Sequence, residues 1–163
     1  QRKYLKKYLF ITSKLESISG LTKDPYDVAL DRLKISQWTI YSNTTYKNKI
    51  NIGDNIYIYV GKTNSKNVAF TYSVIASAEI DNIQTNYRNL NWFEMEKYYI
   101  DHPYKILNLK NIKYYKKPFN FKINFKKISF MTGIRLSKNN RFNWGAYMQG
   151  GVKILTDQDS SLF

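Results

Sequence analysis

Cysteine is absent from the 163 residues, and histidine occurs once, at His102. The first absence excludes disulfides, zinc ribbons and thiol nucleophiles. The second excludes an HNH nuclease site and the usual His-containing catalytic pairs and triads. His102-Pro103 stands just before a strand-like run and reads as a structural histidine. Acids are also scarce, 12 against 26 Lys and Arg. A PD-(D/E)xK nuclease needs an acid followed two places on by Lys, because carboxylates hold Mg²⁺ beside a charge-stabilising Lys. None of the 12 acids here has that Lys. Gly61-Lys62-Thr63 ends like a phosphate-cradling P-loop, but the glycine that such a loop requires would fall at Ile56, so the segment reads as a hairpin turn. No run approaches the roughly 18 apolar residues of a membrane span, and no secretory h-region opens the chain. These absences predict a cytoplasmic, non-catalytic protein with no metal, no cofactor and no membrane partner.

What is abundant is aromatic and basic. The chain holds 15 Tyr, 9 Phe and 3 Trp, and 43% of it is hydrophobic, enough for a packed core. Tyr couples apolar area to a polar tip, which suits surfaces that are half wet. The net charge of +14 creates a field that draws polyanions, nucleic acid above all. A coding bias towards Asn, Lys, Ile and Tyr raises the same charge without any function. Lys113, Lys116 and Lys117 crowd a Tyr- and Phe-rich stretch, and Lys138 and Arg141 flank Asn139-Asn140. All five are candidate phosphate contacts; a solvated basic face is the plain alternative.

No repeat, linker or low-complexity tract divides residues 1–163, which predicts one domain. It opens on Gln1 and reads as a fragment trimmed from a longer chain. Residues 4–12 read as a strand and 13–23 as a loop around Gly20. Asp24-Pro25 then opens a helix, with Asp as cap and Pro at the first helical position. Val28, Ala29, Leu30 and Leu33 give it an apolar face. Residues 56–60 read as a buried central strand after the Gly53-Asp54 turn. Further strands are expected over 68–76, 104–112 and 152–155, with mixed signals over 113–130. Thr156, followed by acids, caps a closing helix.

Three separated groups of residues, in this order, resemble the EVE domain, a relative of YTH and PUA modules. The first is Tyr8-Leu9-Phe10-Ile11-Thr12-Ser13. The second is Trp38, then Asn43, then Ile52-Gly53-Asp54-Asn55-Ile56-Tyr57-Ile58-Tyr59-Val60. The third is Ile128-Ser129-Phe130-Met131, followed by Trp144-Gly145-Ala146-Tyr147-Met148-Gln149-Gly150 and the Thr156 cap. The family's glycine in the barrel-closing strand is missing near Ala69-Phe70. The resemblance implies an α+β chain, a PUA-like/EVE mixed β-barrel with a few flanking helices.

It also implies a base pocket walled by Trp38 and by Trp92 (with Phe93), with Thr12, Ser13, Thr39 and Asn43 hydrogen-bonding the base edge. The implied partner is modified double-stranded DNA, read through a flipped methylated or hydroxymethylated base. The implied setting is a modification-dependent restriction system, with a nuclease or GTPase effector in the same or a neighbouring chain. A reader of modified tRNA or rRNA, or a pocket protein for a nucleotide-like small molecule, fits the same residues. Taken singly, Trp38 and Trp144 also suit a core and Asn43 a turn. The physical demand is independent of family. A methyl group contributes only about 1 kcal/mol and counts only when fully enclosed, so its base must leave the stack.

Overall fold

A computed structural model of the chain describes residues 4–17, 19–85, 103–131, 148 and 151–163. β1 (Lys7–Thr12) leads into a small hairpin of β2 (Leu15–Glu16) and β3 (Thr22–Lys23), then α1 (Pro25–Lys34) and β4 (Gln37–Ile40). β5 (Asn55–Val60) and β6 (Ser73–Gln84) are joined through a 3-10 helix at Ser65–Phe70. β7 (Lys105–Asn120) runs into α2 (Phe121–Asn124) and two 3-10 turns, and β8 (Val152–Leu155) precedes α3 (Asp157–Ser161). Six strands form one sheet in the order β4-β7-β6-β5-β1-β8.

β1 and β5 pair in parallel, and the remaining neighbours pair antiparallel. β1 lies inside the sheet and is covered on both faces, which explains its unbroken buried run Tyr8-Leu9-Phe10. Tyr8 and Phe10 face one core with Ile56, Ile58 and Leu107, whereas Leu9 faces a second core with Tyr59, Val74 and Phe121. Three strands separate β1 from β4, so a flat sheet would hold them four spacings apart, roughly 19 Å at about 4.8 Å each. The rings of Phe10 on β1 and Trp38 on β4 nevertheless lie 6.1 Å apart. The sheet is therefore curled into a half-barrel, and β4 approaches β1 and β8 across a seam.

α1 packs into the open side of this curl. Asp24 caps it, its carboxylate accepting from the Tyr26 N–H at 3.4 Å, and Pro25 follows at the first helical position. Ala29 and Leu33 join the concave core. The convex face is closed by the C-terminal half of the chain, through Phe121, Ile128, Met131 and Leu155.

Several boundaries differ from the sequence reading. The first strand starts at Lys7, not at residue 4. The 13–23 loop contains the β2–β3 hairpin, turned at Gly20. Residues 68–70 belong to the 3-10 helix rather than to a strand. Its start is fixed by Asn64, whose side chain accepts from the Asn67 N–H, and its end by Phe70, stacked on Tyr26 of α1 at 3.9 Å. β6 begins only at Ser73 and continues to Gln84. β7 extends to Asn120, eight residues beyond the expected end at 112, and its ladder with β6 changes register at three places. Such bulges break the period-two alternation on which strand reading depends. No helix among the described residues is long and apolar enough to cross a membrane.

Candidate nucleic-acid interface

The seam holds a cavity of about 230 Å³. β4 supplies Trp38, Thr39 and Ile40, and Tyr41, Asn43 and Thr44 follow in the turn after it. Ile11, Ser13 and Lys14 come from the end of β1 and its exit, Arg32 from α1, and Gly151 from the approach to β8. Trp38 and Ile40 point into the concave core, and Thr39 alternates to the other side of the strand. Since residues from both sides line it, the cavity runs along the open edge of β4. Ser36, just before β4, and Ile40 at its end turn their carbonyls towards β7, accepting from Leu109 and from Tyr104, the residue before that strand. By the same alternation, the Thr39 N–H and C=O turn towards the seam.

Two hydroxyls are buried without a hydrogen-bond partner among the described residues, Thr39 Oγ1 at the cavity and Thr12 Oγ1 away from it. Thr39 is 4% exposed, and a stranded hydroxyl at such depth costs about 1–3 kcal/mol unless something else bonds it. Trp38 is 3% exposed and already packed, with the Arg32 guanidinium 4.8 Å from its ring centroid. Arg32 is itself 6% exposed. The seam therefore combines an aromatic ring, a planar cation, a main-chain donor and acceptor, and an unsatisfied hydroxyl. Its volume lies below the roughly 300–1,000 Å³ of sites for drug-sized ligands, on the scale of a single ring.

No protein-family model matches the sequence, and neither does any curated protein. Solved structures do match in fold. Human THYN1 in complex with 5-methylcytosine-containing DNA superposes with a TM-score of 0.55 at 12% identity, over 96% of this chain and 94% of that one. A Pseudomonas putida protein gives 0.51 at 8% identity, over 96% and 95%. The N-terminal domain of Staphylothermus marinus McrB gives 0.47 at 10% identity, over 98% and 93%.

The chain shares its fold, a curled α+β half-barrel, with PUA-like domains.

Within this half-barrel, four of the expected base contacts, Trp38, Ser13, Thr39 and Asn43, line one cavity. Thr12 does not line it. Its side chain is fully buried one position before Ser13, and its carbonyl accepts from the Gly61 N–H at 3.0 Å. Trp92, with Phe93, lies outside the described residues, as do Lys138 and Arg141. Lys113, Lys116 and Lys117 are exposed on β7 but are not at the cavity. Leu107 is the β7 residue opposite Trp38, and at about 3.3 Å per residue Lys113 lies roughly 20 Å further along the strand, with Lys116 and Lys117 beyond it.

Sequence reasoning passed over Arg32, although a signal was present. Arg32 follows Val28 by four residues and Ala29 by three, which places it on the apolar face of α1. A cation on a buried helical face calls for an explanation, and the Trp38 ring is part of it. Among the described residues, no group of His, Cys, Asp or Glu is arranged to hold a metal ion.

Proposed function

We propose that this chain is a non-catalytic reader of nucleic acid, DNA first, that takes one flipped, modified base into the seam pocket. The observation that carries the reading is the unpartnered Thr39 hydroxyl, buried in a cavity of single-ring size. A buried polar atom without a partner calls for an explanation, and at Thr39, unlike Thr12, the adjoining cavity leaves room for a ligand group to bond it. A base edge presents donors and acceptors side by side, which the Thr39 hydroxyl and main chain, Ser13 and Asn43 can meet.

Flipping is the step that gives a base access, because the modified edge must be enclosed to be distinguished. Stacking offsets part of the unstacking cost, at about 1–3 kcal/mol per base. Trp38 acts here as the backing of Arg32, whose planar guanidinium can stack on a base face. The likeness to THYN1, solved with 5-methylcytosine DNA, supports a DNA partner for this fold. The role as specificity module of a modification-dependent restriction system, cytoplasmic and working with a nuclease or GTPase effector, rests on the resemblance of the sequence segments.

The test is equilibrium binding to matched duplexes carrying one N6-methyladenine, 5-methylcytosine or 5-hydroxymethylcytosine, and to matched modified RNA hairpins. Preference for one modified DNA supports the proposal. Preference confined to RNA replaces the polymer, and indifference to every modification overturns the reading.

A further inference from the structure

A second cavity, of about 640 Å³, lies beside the seam pocket and shares Ser13 and Lys14 with it. Its other walls are the β2–β3 hairpin, the start of α1 and the turn at Gly61-Lys62-Thr63. β1 and β5 run parallel and their register ends with Thr12 beside Val60, so Ser13-Lys14 and Gly61-Lys62 leave neighbouring strand ends, and all four residues line this groove.

The turn is pinned. The Gly61 N–H donates to the Thr12 carbonyl at 3.0 Å, and a Cβ at Gly61 would stand 3.2 Å from that same oxygen. The Thr63 N–H donates to Thr71 Oγ1 at 3.1 Å, and the Asn64 N–H to Asp24 Oδ1 at 2.7 Å. With these N–H groups committed, the turn is no main-chain phosphate cradle. What it offers is the ammonium of Lys62, a point charge on an exposed residue that makes no ion pair among the described residues.

Two carboxylates, Asp24 and Asp27, line the groove with the lysines. Asp24 also accepts from Asn67 Nδ2 at 2.8 Å and from the Tyr26 N–H. Lys23 is paired with Asp31. Lys14 meets Glu16 at 2.8 Å, but both side chains are more than half exposed, and such surface pairs contribute little.

We infer that this groove carries the sugar–phosphate strand on which the flipped nucleotide hangs, with Lys14 and Lys62 contacting its phosphates. The inference rests on the seam-pocket reading, because a base held in the seam leaves its backbone at the shared Ser13–Lys14 wall. Lys113, Lys116 and Lys117 then lie outside the contact made by the flipped strand.

The test measures binding of the full chain to modified and unmodified duplexes of one sequence, across a salt series. Two variants are compared with the parent chain: Lys14→Gln with Lys62→Gln, and Lys113→Gln with Lys116→Gln and Lys117→Gln. The double variant is expected to lower the log–log salt slope by about 0.9 per lysine and to weaken both duplexes in the same proportion. The triple variant is expected to change the slope less. An unchanged slope in the double variant overturns the groove assignment. A parent chain that ignores modification, yet whose slope falls in the double variant, overturns the seam reading and leaves Lys14 and Lys62 as phosphate contacts with no flipped base beside them.

Discussion

Thr39 is the residue at which folding and binding pull apart. Its buried hydroxyl has no partner among the described residues, and β4 is an edge strand that Val suits well. Thr39→Val should therefore leave the melting temperature unchanged or raised, and should lower preference for the modified base about two- to tenfold, the worth of one hydrogen bond. Lost stability with intact preference would make Thr39 a packing residue. Trp38 presents the reverse case. At 3% exposure and packed on Phe10, its truncation to Ala should cost about 3–5 kcal/mol of stability and remove all binding together. Trp38→Phe keeps most of the core and isolates the pocket. It should fold, bind unmodified DNA like the parent chain and discriminate less well; discrimination equal to the parent's would confine Trp38 to the core. That Trp38, Thr39, Ser13 and Asn43 line one cavity could be read ahead from the order of the segments that carry the resemblance; their contact with a base is the proposal. Arg32 was not legible, since its meaning depends on a ring carried by another element.

At the scale of elements, helix ends were the most legible features. Asp24-Pro25 and Thr156 with Asp159 carry their caps in local sequence, and both helices start where those caps stand. The 3-10 helix at Ser65–Phe70 was not legible, because Phe70 is held by a stack on Tyr26 from a different element. The long β7 was blurred by bulges that scatter its lysines without alternation. Asp159 does more than cap α3. Its carboxylate accepts from the Ser129 N–H at 2.8 Å, from the Ser129 hydroxyl and from the Thr156 N–H at 3.0 Å, tying the tail to the Ile128–Met131 layer of the convex core. Burial alone would raise its pKa, but these hydrogen bonds outweigh it and hold the pKa below the usual carboxylate value. A carboxyl with a depressed folded pKa stabilises the fold above its unfolded pKa of about 3.9, and that contribution is lost as pH falls through the folded value. Asp159→Asn should lower the melting temperature at neutral pH, and the gap from the parent chain should narrow on acidification below about pH 4. A gap independent of pH would remove charge from the explanation.

At the scale of the molecule, curling one sheet until its edges nearly meet creates both the seam and the cavity in it. Fold class and curl were readable from the resemblance, but the seam was not, because it is made by strands distant in sequence. The charge of +14 acts across the whole surface. With roughly five phosphate contacts, the log–log dependence of binding on salt should have a slope near about −4.5. A flat dependence would make the lysines compositional. Salt-sensitive binding by itself is common to basic proteins, so it is the base that decides the central claim. The most direct measurement is the affinity ratio, at one fixed salt concentration, between duplexes that differ only in a single modified base. The seam pocket predicts that at least one of N6-methyladenine, 5-methylcytosine and 5-hydroxymethylcytosine binds about tenfold tighter than its unmodified duplex, a difference of about 1.4 kcal/mol. Equal affinity for all four duplexes, with the chain folded and the salt dependence intact, would contradict it.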